Sequence, residues 1–435
     1  MRTLAEWLAL HEAVHPQSID MGLARVGTVA RALGLQSPAH AVITVAGTNG
    51  KGSVAAHLEA LCAVRGARTG LFTSPHFVRY NERIRVDGVD AEDASLMSAF
   101  ERIEQARRDT TLTFFEYNTL AALLIFRDRG VQVAILEVGL GGRLDATNLI
   151  DADVAVLASV GFDHREWLGE TLEAIGAEKA GVFRPRRAAV LGSAEMPASV
   201  YAAIAGRGAR AIVAGKDFSW HRHADLWDYR GLQQAFTALP PSALAGAIQY
   251  RNAATAFAAM EALSLDPAPS RPVQALMSQL AAFDATSAAL ALRRVRLAGR
   301  FQIVPGAVEW ILDIAHNEPA AQVLARQLRE RPLPAPGGRT FAVIGVLADK
   351  DAAAIGAALG QVIDQWIVCA LPGPRGGSAA ALAQRLARLP DTVQLADSVR
   401  AGWELARARA RPGDRVVVCG SLHTVGPALE WLQIY

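Results

Sequence analysis

The sequence predicts an α/β protein of two domains on mainly parallel sheets, with a small antiparallel β insertion in the first. Three observations carry that expectation. The 435 residues exceed what a single hydrophobic core serves, roughly 250–300 residues. Short apolar runs alternate with longer helical patterns, the rhythm of βαβ units. Residues 205–250 break the rhythm: Trp220, Trp227, Tyr229 and Phe236 sit among charges and glycines without a long helical stripe.

In chain order, the first buried strands are expected at 41–46 (AVITVA), 131–138 (VQVAILEV) and 154–159 (VAVLAS). Each is rich in Val, Ile, Leu or Ala and ends at Gly or polar residues, as strands covered on both faces do. Residues 50–64 read as a helix, with Val54, Leu58 and Leu61 on one stripe. A second α/β series follows residue 300, with strands at 308–314, 340–346, 366–370 and 415–419 between alanine-rich helices. The boundary is placed after the basic stretch 293–296, giving domains 1–296 and 297–435.

Composition narrows the functions. With 51% hydrophobic and 20% charged residues the chain is an ordinary folded globular protein. Its 44 basic and 42 acidic residues nearly cancel, which gives no electrostatic case for nucleic acid. Cys62, Cys369 and Cys419 are too far apart to read as a metal pair, and three cysteines do not make a disulfide scaffold. The N-terminal helical pattern is broken by Glu6, His11 and Glu12 and lacks the form of a signal peptide. No run of about 18 apolar residues occurs, so no membrane partner is expected and the cytoplasm is the expected compartment.

The strongest local signal is Val45-Ala46-Gly47-Thr48-Asn49-Gly50-Lys51-Gly52-Ser53. A buried strand runs into a glycine-rich turn that opens a helix, aiming backbone N–H groups and the positive helix end at phosphate oxygens. Lys51 adds a mobile charge for the β- and γ-phosphates. Ala46 stands where a strict P-loop would start, and Gly52 follows the lysine where Ser or Thr is usual. Mononucleotide binding is therefore expected, but not an ordinary motor or GTPase.

A hard cation should accompany the phosphates. Glu137 ends the strand 131–138 at the carboxyl edge, where open α/β sheets bind ligands, and a carboxylate there is costly to bury without a partner. Past the next strand come Gly161–Gly169 (GFDHREWLG) and a helix carrying Glu178-Lys179-Ala180-Gly181. Taken singly, His164 reads as a structural histidine and Lys179 as a solvated helix residue; adjacent strand ends make both interesting. In the second domain Asp313-Ile314-Ala315-His316-Asn317 again links strand to helix. Asp313 suits ribose hydroxyls or an ordered Arg, and Arg300 in Gly299-Arg300-Phe301 can clamp phosphate. Two segments are set aside. His221 and His223 share a strand face but have no carboxylate or cysteine at ligand spacing. Residues 373–377 (GPRGG) read as a plain turn.

Together these blocks resemble the folylpolyglutamate synthase family, particularly its bifunctional bacterial members that also act as dihydrofolate synthases. The matching stretches are VAGTNGKGS (45–53), TSPHFVRYNERIRVDG (73–88), TFFEYNTLAAL (113–123), LEVGLGGRLDATN (136–148), GFDHREWLGETLEAIGAEKAGVF (161–183), RNAATA (251–256), GRFQ (299–302), DIAHN (313–317), GVLADKD (345–351) and GSLHTVG (420–426). They span nearly the whole chain in family order. The resemblance implies a P-loop-type ATPase domain followed by a Rossmann-like α/β domain, with ATP and Mg²⁺ as cofactors and K⁺ as an assisting ion. It implies dihydropteroate, reduced folates and L-glutamate as substrates, and a monomer.

By the same resemblance Gly47, Thr48, Asn49, Gly50, Lys51, Gly52 and Ser53 would hold ATP phosphates. Asn252, Arg300, Asp313 and His316 would complete the nucleotide site. Ser74, Glu137 and His164 match magnesium ligands, and Lys179 matches a lysine that the family and the related Mur ligases carbamylate, turning a cation into a carboxylate-like ligand. The pterin would lie against Thr113, Phe114, Phe115 and Glu116 and against Leu144, Asp145 and Ala146, with His15 and Asp20 closing over it. One departure is visible: Glu318 separates Asn317 from Pro319, where the family usually has proline directly after asparagine.

The expected reaction is amide formation. ATP phosphorylates the pteroate or folate carboxylate, and the glutamate amine attacks the acyl phosphate. Lys51, Lys179, His164 and Arg300 are the expected catalytic residues, Arg300 arriving on domain closure. The rivals are a monofunctional polyglutamate synthase, a Mur-type amino-acid ligase, and a switch that hydrolyses ATP without making a bond. Gly52 and the blocks at 73–88 and 113–123 weigh against the Mur-type reading.

Overall fold

The computed structural model describes every residue except 1, 18, 39, 266–273, 387–388, 390–392 and 435. The chain divides into two compact units, Met1–Ala243 with Tyr250–Arg296, and Leu244–Gln249 with Leu297–Tyr435.

In the first unit α1 (Leu4–Val14) and α2 (Ala24–Ala32) precede β1 (Ala41–Ala46), α3 (Lys51–Val64), β2 (Thr69–Phe72), β3 (Ile84–Val86) and β4 (Val89–Asp90). Then come α4 (Asp93–Arg107), α5 (Phe114–Asp128), β5 (Val133–Glu137), β6 (Val154–Leu157), α6 (Arg165–Leu168), α7 (Leu172–Lys179), β7 (Ala188–Leu191), α8 (Ala198–Arg207) and β8 (Arg210–Val213). These strands form one eight-stranded sheet in the order β4-β3-β2-β5-β1-β6-β7-β8. Its pairings are parallel from β2 to β8 and antiparallel only at β3 and β4. The sheet is covered on both faces. On β1, Ala41, Ile43 and Val45 share a cluster with Val54, Leu58 and Leu61 of α3, while Val42 faces Phe100 of α4 and Leu120 and Leu124 of α5. The two-residue period of the strand sends alternate side chains to the two layers, and each fully buried Val, Leu or Ile contributes about 1.5–3 kcal/mol.

The expected insertion is a three-stranded antiparallel sheet of β9 (Ser219–His223), β10 (Leu226–Arg230) and β11 (Ala235–Leu239). It is narrower than 205–250, because its flanks belong to α8, β8 and α9 (Ile248–Ala262). Its aromatic residues anchor it to α9. The ring of Trp227 stacks on Phe257 at 5.9 Å, and the Tyr229 hydroxyl donates to buried Glu261 at 2.6 Å. Helices α10 (Gln274–Ala281) and α11 (Ala285–Arg294) complete the unit.

The second unit holds β12 (Gln302–Val304), β13 (Glu309–Asp313), α12 (Glu318–Glu330), β14 (Thr340–Ile344), α13 (Ala352–Leu359), β15 (Gln365–Cys369), α14 (Ala379–Arg385), β16 (Gln394–Ala396), α15 (Val399–Arg409), β17 (Arg415–Cys419) and α16 (Leu422–Trp431). The six-stranded order is β12-β13-β17-β14-β15-β16, antiparallel only between β12 and β13. Arg415 is buried at the start of β17 and is matched by Glu309 at 2.7 Å. Residues 244–249 belong to this unit: a Cβ at Gly246 would fall 1.7 Å from the Gln327 amide, so only glycine fits there. Nothing in the local sequence announces that excursion.

β1 and β17 match the expected runs, β5, β6, β13 and β14 stop one or two residues inside them at one or both edges, and β15 lies one residue earlier than expected. All three cysteines are reduced and buried. Among the described residues no single helix is long and apolar enough to cross a membrane.

Candidate active site

Four neighbouring parallel strands, in the order β2-β5-β1-β6, deliver the candidate residues of the first unit to one edge. Ser74 follows β2, Glu137 ends β5, the glycine-rich turn follows β1 and Asp163-His164 follow β6. That shared carboxyl edge is where α/β sheets bind ligands.

The turn itself is held rigid. Gly50 sits at φ 87°, a left-handed conformation that a side chain would strain, and a Cβ there would stand 3.1 Å from Oδ1 of Asn252. The helix accordingly begins at Lys51, one residue later than expected. The Thr48 N–H donates to the Ser159 carbonyl at 2.9 Å, and the Asn49 N–H to Ser159 Oγ at 3.0 Å. The Thr48 hydroxyl donates to the Gly161 carbonyl at 3.1 Å. These two N–H groups brace the turn, so anion-facing donors are left to the Gly50 N–H and the first turn of α3, whose N–H groups have no intrahelical acceptor. Ser159 was read from sequence only as the end of a strand.

Lys51 Nζ donates to the Gly47 carbonyl at 3.0 Å and Lys179 Nζ to the same carbonyl at 3.3 Å. Burial first, and the Lys51 charge second, push Lys179 down to about 7. Two ammonium groups at one carbonyl repel, so the buried one is the readier to exist as a free amine. Lys179 is no solvated helix residue; it ends α7 at only 5% exposure. Its position is fixed by the loop after β5: the Arg143 N–H donates to the Glu178 carbonyl at 2.9 Å, and a Cβ at Gly142 would fall 2.7 Å from the Lys179 carbonyl.

Glu137 is buried, with Oε2 held by the Thr73 hydroxyl and, at 3.3 Å, by the Ser74 N–H. Its Oε1 has no hydrogen-bond partner among the described residues, which leaves a hard anionic oxygen at the phosphate edge. His164 caps α6 at φ 50°, its N–H accepted by Asp163 Oδ1 at 3.0 Å. A hard divalent cation fits this donor set, with one oxygen fixed and one open. The glycine turn and Lys51 suit a nucleoside triphosphate.

On the pterin-side blocks, Thr113 caps α5 and Glu116 closes a capping box, its Oε2 accepting the Thr113 N–H at 2.7 Å. Asp145 is buried with both oxygens committed: Oδ2 accepts from Gly139 and Leu140 at 3.1 and 2.9 Å, and Oδ1 from the Thr147 hydroxyl at 2.6 Å. Asp145 thus shapes the loop, with Leu144 and Ala146 to either side. Phe115 lies over Gly139, where a Cβ would fall 2.6 Å from its ring, and Phe114 lies under Arg83 at 5.3 Å. His15 Nε2 stands 3.4 Å from Asp20 Oδ2, and Arg25 donates to the same oxygen at 2.7 Å. Arg25 was not singled out from sequence, nor was Arg251. The Arg251 guanidinium lies beside Gly50, its pKa lowered by burial, with no carboxylate partner among the described residues.

In the second unit Asp313 ends β13. Its Oδ2 accepts from the Phe301 N–H and its Oδ1 from the Ala315 N–H, both at 2.9 Å. Desolvation raises its carboxyl above the usual range, with the Arg300 charge the largest opposing influence. His316 follows two residues past Ile314, and Asn317 caps α12. Glu318 and Pro319 then occupy the first turn, where an acid and a proline are favourable. Turn 373–377 is tied down by Arg375, bidentate to Asp349 at 3.0 and 2.7 Å. The hairpin does bring a carboxylate to the paired histidines: Asp228 accepts from His223 at 2.8 Å. Yet no group of three metal-ligating side chains forms among the described residues.

Comparison with known proteins identifies the family. Residues 45–260 match the Mur ligase middle domain and residues 299–422 the glutamate ligase domain of Mur ligases. The chain is 41% identical to the Escherichia coli dihydrofolate synthase/folylpolyglutamate synthase over 98% of its own length and 95% of that protein's. It is 32% identical to the Mycobacterium tuberculosis enzyme of the same name, over 94% and 90% of the two chains. Among solved structures, E. coli FolC in complex with DHPP and ADP superposes with a TM-score of 0.90 at 40% identity, covering 100% and 98% of the chains. A bifunctional enzyme with Mn, AMPPNP and L-glutamate bound gives 0.88 at 38%, with 100% and 98% covered. With these similarities running the length of both units, the chain belongs to the dihydrofolate synthase/folylpolyglutamate synthase family of Mur-type ligases.

Proposed function

We propose that this chain is an ATP-dependent ligase joining L-glutamate to 7,8-dihydropteroate and to reduced folates through an acyl phosphate. The observation that carries the reading is the convergence of Lys51 and buried Lys179 on the Gly47 carbonyl, at the same sheet edge as Glu137, a carboxylate with one open oxygen, in a member of this family.

A carboxylate does not condense with an amine at neutral pH unless it is activated. Lys51 and the first turn of α3 bind and orient the phosphates, with Gly47, Thr48, Asn49, Gly50, Gly52 and Ser53 shaping the cradle and Asn252 beside it. Arg251 adds a third cation there. Arg300, Asp313 and His316 would serve the nucleotide; residues 1–243 with 250–296 form the ATP-binding domain, and 297–435 with 244–249 the glutamate ligase domain. Ser74, Glu137, His164 and carbamylated Lys179 would hold Mg²⁺, which when bound neutralises charge on the transferring phosphoryl group. An uncharged amine at Lys179 is the form that reacts with CO₂, and its lowered pKa supplies that form near neutral pH. Thr113 to Glu116, Leu144 to Ala146, His15 and Asp20 form the pterin side. K⁺ as helper, a monomeric state and a cytoplasmic location complete the reading.

One assay tests it: ADP release with dihydropteroate or tetrahydrofolate, each with and without glutamate. Release that needs both acid and glutamate, with either acid, is the expected result. ATP turnover indifferent to both would replace the ligase with a nucleotide switch, and turnover with tetrahydrofolate alone would make it a monofunctional synthase.

A further inference from the structure

Arg25 stands in the first turn of α2 and reaches two segments far apart in sequence. Its Nη1 donates to Oδ2 of Asp20 at 2.7 Å, and its Nη2 to the Asp20 carbonyl at 2.9 Å. The same Nη2 reaches Oε1 of Glu116 at 3.3 Å, across 91 residues of sequence. One planar guanidinium therefore ties the loop before α2 to the start of α5. Glu116 is spent in this arrangement, since its other oxygen caps Thr113. Asp20 is not. Its Oδ2 takes Arg25 and His15, but a third of its side chain is open and Oδ1 has no partner among the described residues.

We infer that Arg25 is the positioning residue of the pterin site: it orients Asp20 so that Oδ1 accepts N–H groups from the 2-amino-4-oxopyrimidine edge of the substrate. The inference rests on the folate reading above and deepens it. That edge of a pterin carries adjacent N–H donors, the ring N3–H and the 2-amino group, and a carboxylate is their natural acceptor. An aspartate on a short loop would otherwise sample several rotamers, and ordering it on binding would cost affinity. Arg25 removes that cost in advance, by gripping both the carboxylate and the backbone of the residue it positions. A lysine cannot reproduce this, because an ammonium lacks the planar fork that spans three acceptors. Glu116 anchors the guanidinium from the helix side, so it acts through Arg25 and not on the substrate.

The test compares wild type, Arg25→Lys, Asp20→Asn and Glu116→Gln in steady-state assays with dihydropteroate, ATP and glutamate. Glutamine at 116 still fits a capping box, so that variant keeps the helix start while losing the charge. Arg25→Lys and Asp20→Asn should each raise KM for dihydropteroate about 10- to 100-fold, the scale of one charge-assisted hydrogen bond. KM for ATP and kcat should stay within about twofold. Glu116→Gln should raise the same KM by less, and adding it to Arg25→Lys should cost little more, because the two act through one contact. Wild-type turnover together with an unchanged dihydropteroate KM in Arg25→Lys overturns the inference, as does a parallel rise in the ATP KM. Absence of wild-type turnover with both dihydropteroate and tetrahydrofolate overturns the folate reading itself, and with it this inference; turnover with tetrahydrofolate alone moves the same comparison of KM values to that acid.

Discussion

Half-buried Lys51 on α3 and buried Lys179 on α7 do different work, and substitutions separate them. Lys51→Ala should abolish ADP formation while circular dichroism and melting temperature stay near wild type, because among the described residues its ammonium donates only to the Gly47 and Thr48 carbonyls. Turnover at the wild-type rate would remove the phosphate-loop assignment. At Lys179, a metal-bound high-resolution map should show carboxylate density beyond Nζ; a bare amine refutes the carbamate. His57 is a third case. Its Nδ1 faces the Ser53 carbonyl at 2.7 Å and must donate, so Nε2 accepts from the Ser242 hydroxyl at 2.9 Å. Burial pushes His57 down to about 4. Between pH 6.5 and 4 the unfolded chain then binds a proton that the folded one refuses, so stability rises with pH in that window and is lost as pH falls. His57→Gln should reduce the slope of urea-unfolding free energy between pH 6.5 and 5 by about 1 kcal/mol per pH unit. An unchanged slope would mean the ring is protonated in the fold.

Elements were more legible than contacts. The strand-turn-helix at 41–64 could be read directly, because an apolar run, a glycine cluster and a helical stripe follow each other within 24 residues. Glu137 could be found because a carboxylate at the end of an apolar strand needs a reason. Ser159, Arg25 and Arg251 could not be found, since their meaning lies in contacts such as Ser159 with Asn49, 110 residues apart. Lys179 gained its importance from the fold that buries it, and no local pattern distinguishes it from an exposed helical lysine. The resemblance, not residue chemistry, supplied the pterin. The turn makes an element-scale prediction: Gly50→Ala should cost about 1–3 kcal/mol, from the left-handed backbone and the approach to Asn252. In a unit of this size that lowers the melting temperature by several degrees, readable by calorimetry.

At the scale of the whole molecule, the two α/β series were legible because each sheet announces its buried strands as apolar runs. The interleaved segment 244–249 was not, because six residues of Leu, Ala, Gly, Ile and Gln have no pattern of their own. Its contacts give it a part in the second unit, where Ala245 packs against the core of β13, β14 and β17. A fragment cut at the apparent boundary, 297–435, should therefore melt at lower temperature than one carrying 244–249 on a linker. Equal melting temperatures would show the segment to be dispensable.

The three cysteines have a practical consequence. Cys62 and Cys369 are pushed up to about 12 by burial, and Cys419 higher still by burial and the Asp313 charge. A buried thiol that stays protonated near neutral pH is a poor nucleophile toward alkylating reagents and disulfides. The folded chain should therefore react slowly with maleimide, so that a single surface cysteine placed on either unit would take the label first, with no need to remove the natural ones.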